Sequence, residues 1–330
     1  MSYNDAQRVA GRCLCTALPV WLLLVADVTA QPRGLTQVGS VPGPVSVLDA
    51  DDRWLITGAG TSVRIIDLSD ADGPAVVGSY DFTEAILGLA LDGDTAYVAN
   101  SHDGLRRLAL STSAEPVLTG SSPTRGQAAG VATSGTHVFV ADNSLGFDIV
   151  ESSEGLTRVG EHLADGFPRG VAAFGALVLI ADAPGGLMVV DPSTPQTPTV
   201  MGALSLGNDP ITGVVVPHSQ PGAPTATVAG VLSRRTGLQL VDLSDQGSPA
   251  FTAAVVTQAP PRSVAMDDRL LYVVSEGMLE LFDISDPAQP TLVAEQTVSD
   301  GARAVAVNDS LVFVGSPDEL VIFRQPQLSN

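Results

Sequence analysis

The sequence of 330 residues contains no lysine, so every basic side chain is an arginine. Its 16 basic residues stand against 36 acidic ones, which gives a formal net charge of −20. Binding to a phosphate backbone requires a positive electrostatic potential, so this acidic composition excludes nucleic acid as a partner. Two explanations for the missing lysine stay open here: the codon usage of a GC-rich genome, and adaptation to salt, in which acidic surfaces stay hydrated.

Long apolar runs are also scarce, and the one near the N-terminus is short. Arg8 and Arg12 precede an apolar run over residues 13–26, and small residues lead up to Ala30. This pattern is typical of an export signal. It predicts a signal peptide over residues 1–30, cleaved after Ala30, and a secreted or periplasmic/cell-surface location. No later run approaches the about 20 apolar residues of a spanning helix, so we expect no membrane insertion.

Cysteine is nearly absent as well. The two cysteines, Cys13 and Cys15, lie inside the predicted signal, at the start of its apolar run. A lipid-modified cysteine would follow that run, so the lipoprotein interpretation fails. The mature chain then has no disulfide, and packing alone must hold it together.

What the sequence does contain is a repeat of short apolar strands separated by Gly, Pro and Asp. The third strand of each copy closes on one residue, which is an acid in the clearest copies. The steps between closing residues are 42, 42, 40, 51, 41 and 41 residues, the period of a four-stranded propeller blade. The closing residues are Asp67, Ala109, Glu151, Asp191, Asp242, Asp283 and Arg324.

Blade six shows how one copy divides into strands. Residues 263–266 are predicted as the innermost strand, 270–274 as the second, 279–283 as the third and 291–294 as the outermost. Nothing in the chain shows a sustained helical period. The predicted fold is an all-β, seven-bladed β-propeller of four-stranded antiparallel blades, forming a single domain over residues 31–330.

The two ends of the repeat array complement each other. The seventh copy stops after its third strand at Phe323, whereas residues 34–40 read like the outermost strand at residues 75–80. Seating the N-terminal strand in the last blade would remove both open edges. We therefore predict that this strand closes the ring, and we expect a monomer.

The third strands and the residues after them resemble the LVIVD-repeat family of exported bacterial and archaeal propeller proteins. The resemblance rests on residues 63–67, 187–191, 238–242 and 279–283, each followed by Ser and Pro or a close variant. Copies two and three depart from the pattern in their third strands. The resemblance implies a propeller fold and an envelope or secreted location, and it implies little about activity.

The Asp-x-Ser that follows several third strands is predicted to be turn chemistry, because Asp and Ser side chains accept hydrogen bonds from turn amides. The richest copy, residues 67–73, lacks the spacing and the distal acid of a calcium loop. We therefore expect no metal site, and nothing in the sequence calls for a cofactor.

An arginine precedes the innermost strand in blades four, six and seven. Guanidiniums that converge at one end of the channel could bind a carboxylate, phosphate or sulfate. The alternative is that each arginine pairs with a carboxylate and ties adjacent blades. The predicted ligand-binding residues, all on the face where the innermost strands begin, are Arg169, Arg262, Arg303, His102, Asp103, Asp142 and Asp182.

No catalytic residue is predicted. The four histidines share no metal-ligand spacing, no cysteine nucleophile follows the signal, and no Gly-x-Ser-x-Gly turn with a suitable base occurs. The sequence favours an exported, non-catalytic binding or scaffolding propeller whose partner is a protein or a small anionic ligand. The alternative is a hydrolase or lyase with an active site at the channel mouth on the same face.

Overall fold

A computed structural model describes residues 34–326 except 71–72, 113, 154, 165, 184–185, 208 and 218–226. The predicted signal peptide lies outside these described residues. Their 28 strands form seven four-stranded antiparallel sheets, which confirms the predicted all-β seven-bladed propeller. Within these ranges no helix has the length and hydropathy needed to cross a membrane.

Blades one to four follow one another along the chain, each built from its innermost to its outermost strand. Blade one contains β2 Val47–Ala50, β3 Trp54–Ala59, β4 Ser62–Asp67 and β5 Ala75–Asp81. Blade two contains β6 Gly88–Asp92, β7 Thr95–Ala99, β8 Leu105–Ala109 and β9 Val117–Ser122. Blade three contains β10 Ala128–Ser134, β11 His137–Asp142, β12 Gly146–Glu151 and β13 Thr157–Leu163. Blade four contains β14 Phe167–Phe174, β15 Leu177–Ala183, β16 Gly186–Asp191 and β17 Thr199–Leu204.

Blades five and six are built in the same way, whereas blade seven joins both ends of the array. Blade five contains β18 Ile211–Val215, β19 Val228–Ser233, β20 Gly237–Asp242 and β21 Ala250–Val255. Blade six contains β22 Ser263–Met266, β23 Leu270–Ser275, β24 Met278–Asp283 and β25 Thr291–Thr297. Blade seven contains β26 Ala304–Val307, β27 Leu311–Gly315, β28 Glu319–Arg324 and, outermost, β1 Thr36–Pro42.

The N-terminal strand closes the ring as the sequence predicts. β1 pairs antiparallel with β28, from Thr36 opposite Arg324 to Pro42 opposite Glu319. Leu35, just before β1, packs against the apolar cluster shared with blade six, and Val38 packs against the cluster shared with blade one. The added strand therefore covers an edge and also contributes to the packing on both sides of blade seven.

The apolar core lies between neighbouring blades. At the junction of blades seven and one, Phe313 and Ile322 pack with Leu55 and Ile66, and all four are buried. An apolar sheet face must be covered by another layer, and in this ring each blade covers the next. The second strands are the most deeply enclosed, since β15, for example, is buried along its whole length.

Every outermost strand contains a β-bulge. In blade one, Gly78 lies opposite Ile65 and Val76 lies opposite Ile66, so Val77 is an extra residue in β5. The same shift recurs in the other six blades. A bulge twists a sheet edge and interrupts its row of hydrogen-bonding groups, which disfavours pairing with another chain.

The innermost strands of several blades touch through glycine. A Cβ atom on Gly130 would lie 2.7 Å from the carbonyl oxygen of Arg169, and one on Gly170 would lie 2.9 Å from the Cα of Gly213. Only a residue without a side chain allows backbones to approach so closely. These glycines therefore fix the spacing of blades three, four and five around the channel.

The ring has two faces. The face where the innermost strands begin is called the entry face. It also carries the turns between second and third strands and the connections between blades. The opposite face carries the Asp-x-Ser turns. There the carboxylates of Asp67, Asp191, Asp242 and Asp283 accept hydrogen bonds of 2.8–2.9 Å from the amide two residues later. This is the turn chemistry that the sequence predicts.

Candidate functional site

A buried polar residue lies at or next to the entry-face end of the second strand in six blades. Its side chain anchors nearby backbone: Asn100 donates to the carbonyl of Glu84 at 2.7 Å, and the Ser316 hydroxyl accepts from the amide of Glu319 at 3.1 Å. Buried polar groups need such partners. The six residues, all buried, are Asn100, Asp142, Asp182, Ser233, Ser275 and Ser316.

Two predicted site residues, Asp142 and Asp182, belong to this set of anchors. The Asp142 carboxylate accepts from the amides of Gly126 at 2.6 Å and Ser144 at 3.0 Å. Asp182 lies close beneath Gly166, where a Cβ atom would come within 2.2 Å of its Oδ1. Both carboxylates are nearly inaccessible, with 1% and 3% of their surface exposed. Their position suits them to holding the connections between blades.

Arg262 reaches across to the next blade. Its Nη1 donates to the carbonyl oxygens of Asp300 at 2.8 Å and Ala302 at 3.2 Å, in the connection that leads to blade seven. Its Nη2 lies 3.6 Å from a carboxylate oxygen of Glu276. The side chain is 37% exposed. The guanidinium thus holds the backbone just before Arg303 and keeps one edge open to solvent.

Arg303 and Arg169 are both exposed. The Nε of Arg303 donates to the carbonyl of Gly301 at 3.3 Å. For the Arg169 side chain, no described residue supplies a hydrogen bond or an ion pair, and Arg169 is the residue bulged between Pro168 and Gly170 in β14. The one repeat position therefore holds arginines in two different environments.

His102 and Asp103 lie in the turn between the second and third strands of blade two. The His102 ring is 71% exposed and lies 3.8 Å from a carboxylate oxygen of Glu84. Asp103 accepts a 2.6 Å hydrogen bond from Thr83 and lies 3.3 Å from Arg106. The Thr83 hydroxyl, followed by Arg106, holds the pKa of Asp103 below its ordinary value. Asp103 therefore forms a local ion pair with Arg106 at the edge of the entry face.

The central channel is a cavity of about 800 Å³ between the innermost strands. Its wall includes apolar side chains such as Leu48 and Leu89. The end at the opposite face is rimmed by three carboxylates, Asp51, Asp52 and Asp92, and by Arg53, which pairs with Asp94. A carboxylate rim repels anions. An anion would therefore approach the molecule from the entry face, which carries the arginines.

A second cavity, of about 730 Å³, opens on the entry face between blades five and six. It lies between the turn at residues 234–236 and the connection at residues 256–262. Three arginines line it: Arg234, Arg235 and Arg262. The sequence-based prediction includes Arg262 in the site and leaves this cavity out.

Asp148, on the third strand of blade three, is a buried carboxylate that the sequence-based prediction missed. It is 1% exposed, and its Oδ1 lies 3.5 Å from Arg158 and 4.0 Å from Arg125. Burial raises the pKa of Asp148 to about 6, against the opposing effect of these two arginines. An acid within an otherwise apolar strand pattern was the signal that could have identified it.

Within the described part of the chain, no group of three or more His, Cys, Asp or Glu side chains is arranged to hold a metal ion. The comparisons with known proteins can now be set beside this geometry. A family model described as the LVIVD repeat matches residues 125–154, 165–205 and 262–297.

Three segments of this chain match the LVIVD repeat. The three matches fall on blades three, four and six, which confirms the predicted resemblance. Blade three is matched although its third strand, residues 147–151, departs from the pattern on which the resemblance was first based. No curated protein matches the sequence.

Solved structures share the fold at low sequence identity. The β-propeller domain of Cps50 (Swd1) from Myceliophteria thermophila superposes with a TM-score of 0.71 at 12% identity, covering 87% of this chain and 99% of that one. The computationally designed Ika8 protein gives a TM-score of 0.63 at 11% identity, covering 89% of this chain and 100% of that one. At such identities the likeness concerns the propeller architecture alone.

Proposed function

We propose that this protein is an exported, non-catalytic binding or scaffolding propeller that presents its entry face to a protein or a small anionic ligand. The LVIVD repeats and the propeller fold support a binding or scaffolding role. Export is supported by the arginines and the apolar run that precede Ala30. The proposed location is secreted or periplasmic/cell surface. Measurement of the intact mass of the exported protein would test the proposed cleavage, because the mature chain should begin at Gln31.

The observation that carries the proposal is the exposed guanidinium of Arg169 on the entry face. In this chain of net charge −20, several arginines lie within 4.0 Å of a carboxylate oxygen, namely Arg53, Arg106, Arg125, Arg158, Arg262 and Arg269. An exposed guanidinium with no partner among the described residues keeps its five donors available for a carboxylate, phosphate or sulfate. Arg303 adds a second exposed guanidinium at the same repeat position.

The test compares Arg169→Ala with Arg262→Ala, which replace the same repeat position in two environments. With citrate as the probe, calorimetric titration should show weaker binding by Arg169→Ala, while its free energy of unfolding stays within about 0.5 kcal/mol of wild type. Arg262→Ala should instead lower the free energy of unfolding by on the order of 1–2 kcal/mol, because two backbone carbonyls lose a charged donor. The partial exposure of the site keeps the loss within that range.

Arg53→Ala is the matched control, because it removes one positive charge from the opposite face, where Arg53 pairs with Asp94. Its citrate affinity should equal that of wild type. Equal citrate affinity for wild type and Arg169→Ala, or no citrate binding by wild type, would contradict an anion site at the channel mouth.

A further inference from the structure

One side of the cavity between blades five and six is a connection in which a proline fills a packing position. In the connections into blades one, two and three this position holds Val45, Ile86 and Ala128, all buried. Their amides donate to carbonyls of the preceding blade at 2.7, 2.8 and 2.9 Å. Pro261 stands at this position before blade six and has no amide hydrogen to donate. Pro168, at the same position before blade four, is also a proline but is buried, whereas Pro261 is partly exposed and lines the space of about 730 Å³.

One wall of the cavity is a turn that presents two guanidiniums. Arg234 and Arg235 are exposed, and among the described residues neither side chain has a hydrogen-bond or ion-pair partner. The cavity is therefore positively charged in a protein of net charge −20. Arg262 stands on the other side but is engaged with its own neighbours.

The turn is held from below by a buried acid. The Asp209 carboxylate accepts from the amides of Arg235 and Thr236 at 3.1 and 2.8 Å, and from the hydroxyls of Thr236 and Ser233, both at 2.7 Å. Burial alone would raise the pKa of Asp209, but these hydrogen bonds hold it below its ordinary value. Four donors satisfy this charge, so the turn is fixed before any ligand arrives.

The opposite wall is apolar and accessible. Val256 is 84% exposed, and Pro260 and Pro261 continue this surface along the connection. Prolines and a β-branched residue form a rigid apolar surface that loses little entropy on binding. A cavity that joins a short apolar wall to a few placed charges, with a volume within the usual range of about 300–1,000 Å³, is typical of small-molecule sites.

We propose that this cavity binds a small organic anion. Its apolar body would lie against Val256 and Pro261, and its carboxylate or phosphate end group would accept hydrogen bonds from Arg234 and Arg235. The inference builds on the proposed binding function, and it names a ligand class and a place distinct from the channel mouth around Arg169.

The experiment titrates the purified protein with phenyl phosphate, phenylacetate, inorganic phosphate and phenol. Phenyl phosphate or phenylacetate should bind at least about tenfold more tightly than inorganic phosphate, and phenol should show no saturable binding, because both parts of the ligand contribute. Whichever of the two aromatic anions binds more tightly identifies the end group that the cavity prefers.

The decisive variant is the double substitution Arg234→Ala with Arg235→Ala. It should weaken binding of the aromatic anions by about tenfold or more and leave thermal unfolding unchanged, since both side chains are exposed. Val256→Ser should reduce the preference for phenyl phosphate over inorganic phosphate. Arg169→Ala, the matched control at the channel mouth, should bind phenyl phosphate like wild type.

Wild-type affinity for the aromatic anions in the double variant would overturn the assignment of this cavity. If that double variant binds normally while Arg169→Ala loses both citrate and phenyl phosphate, the channel mouth is the anion site and the proposed function stands without this inference. If wild type binds none of the probes, the anion-binding part of both proposals is wrong.

Discussion

Two neighbouring junctions of the ring solve the same packing problem differently. Between blades six and seven, Ala302 is fully buried in the connection, and Arg262 donates to its carbonyl oxygen and to that of Asp300. Between blades five and six, Pro261 fills the corresponding position and a cavity remains beside two exposed arginines. At the junction into blade seven, the arginine donates its hydrogen bonds to backbone carbonyls. At the junction into blade six, the arginine side chains and the apolar wall stay exposed to solvent.

This difference shows that the repeat determines the strands of each blade, whereas the connections between blades determine which polar groups are available to a ligand. The strands around each junction follow the same pattern, because each must bury an apolar face against the next blade. The connections are not covered in this way, so their residues are free to differ. An arginine at one repeat position can therefore hold a backbone in blade six and remain exposed in blade four.

The largest expected effect comes from opening a closed junction. Deletion of residues 34–40 removes most of β1, which pairs with β28, and the packing of Leu35 and Val38 on the two sides of blade seven. Leu35 and Val38 are partly buried, so each contributes less than the about 1.5–3 kcal/mol of a fully buried apolar side chain, but the ladder hydrogen bonds of β1 are lost as well. Thermal unfolding should shift to a much lower temperature. An unchanged midpoint would show that blade seven does not depend on the N-terminal strand.

The strands themselves were largely predictable from sequence. Residues 263–266, predicted as the innermost strand of blade six, match β22, and residues 279–283 lie within β24. The reason is that alternating burial in a sheet imposes a period of two on the sequence. The outermost strand β25 extends three residues beyond the prediction, because its second half lies outside the apolar pattern.

The site was less predictable, because its groups come from separate parts of the chain. Asp209 and the turn at residues 233–236 meet only when the connection and blade five fold together. The cavity is lined by Pro261, whose partial exposure contrasts with the buried residues at the same place in other blades. The second of two consecutive prolines stands where Val45, Ile86 and Ala128 occur elsewhere, but the buried Pro168 before blade four shows that a proline at this place does not by itself predict a cavity.

A smaller effect, and a pH-dependent one, is expected at Asp148 in blade three. Burial raises its pKa in the folded protein to about 6, from an ordinary value of 3.8. The folded state therefore binds the proton more tightly than the unfolded state, so this group lowers stability as pH rises from about 4 to about 6. At 1.36 kcal/mol per pKa unit, the loss is on the order of 3 kcal/mol.

Asp148→Asn isolates this contribution, because every other titrating group stays in place. Denaturant unfolding of wild type and variant should show a difference in stability that shifts in favour of the variant between pH 4 and pH 6 and stays constant above that range. A pH-independent difference would mean that Asp148 ionises normally between Arg125 and Arg158.

The smallest effect on stability, and the sharpest test of the comparison, comes from closing the open junction. Pro261→Ile restores an amide donor and an apolar side chain of the kind that Ile86 supplies before blade two. The new hydrogen bond and packing would be offset by the greater freedom of the unfolded chain without proline, so stability should change by less than about 1 kcal/mol. Phenyl phosphate binding should fall sharply, because the side chain occupies the cavity.

Pro260→Ala is the matched control, since it removes the neighbouring proline without adding volume and should keep most of the affinity. If Pro261→Ile binds phenyl phosphate like wild type, the space beside Pro261 is not where the ligand lies, and the contrast between the two junctions has no consequence for binding.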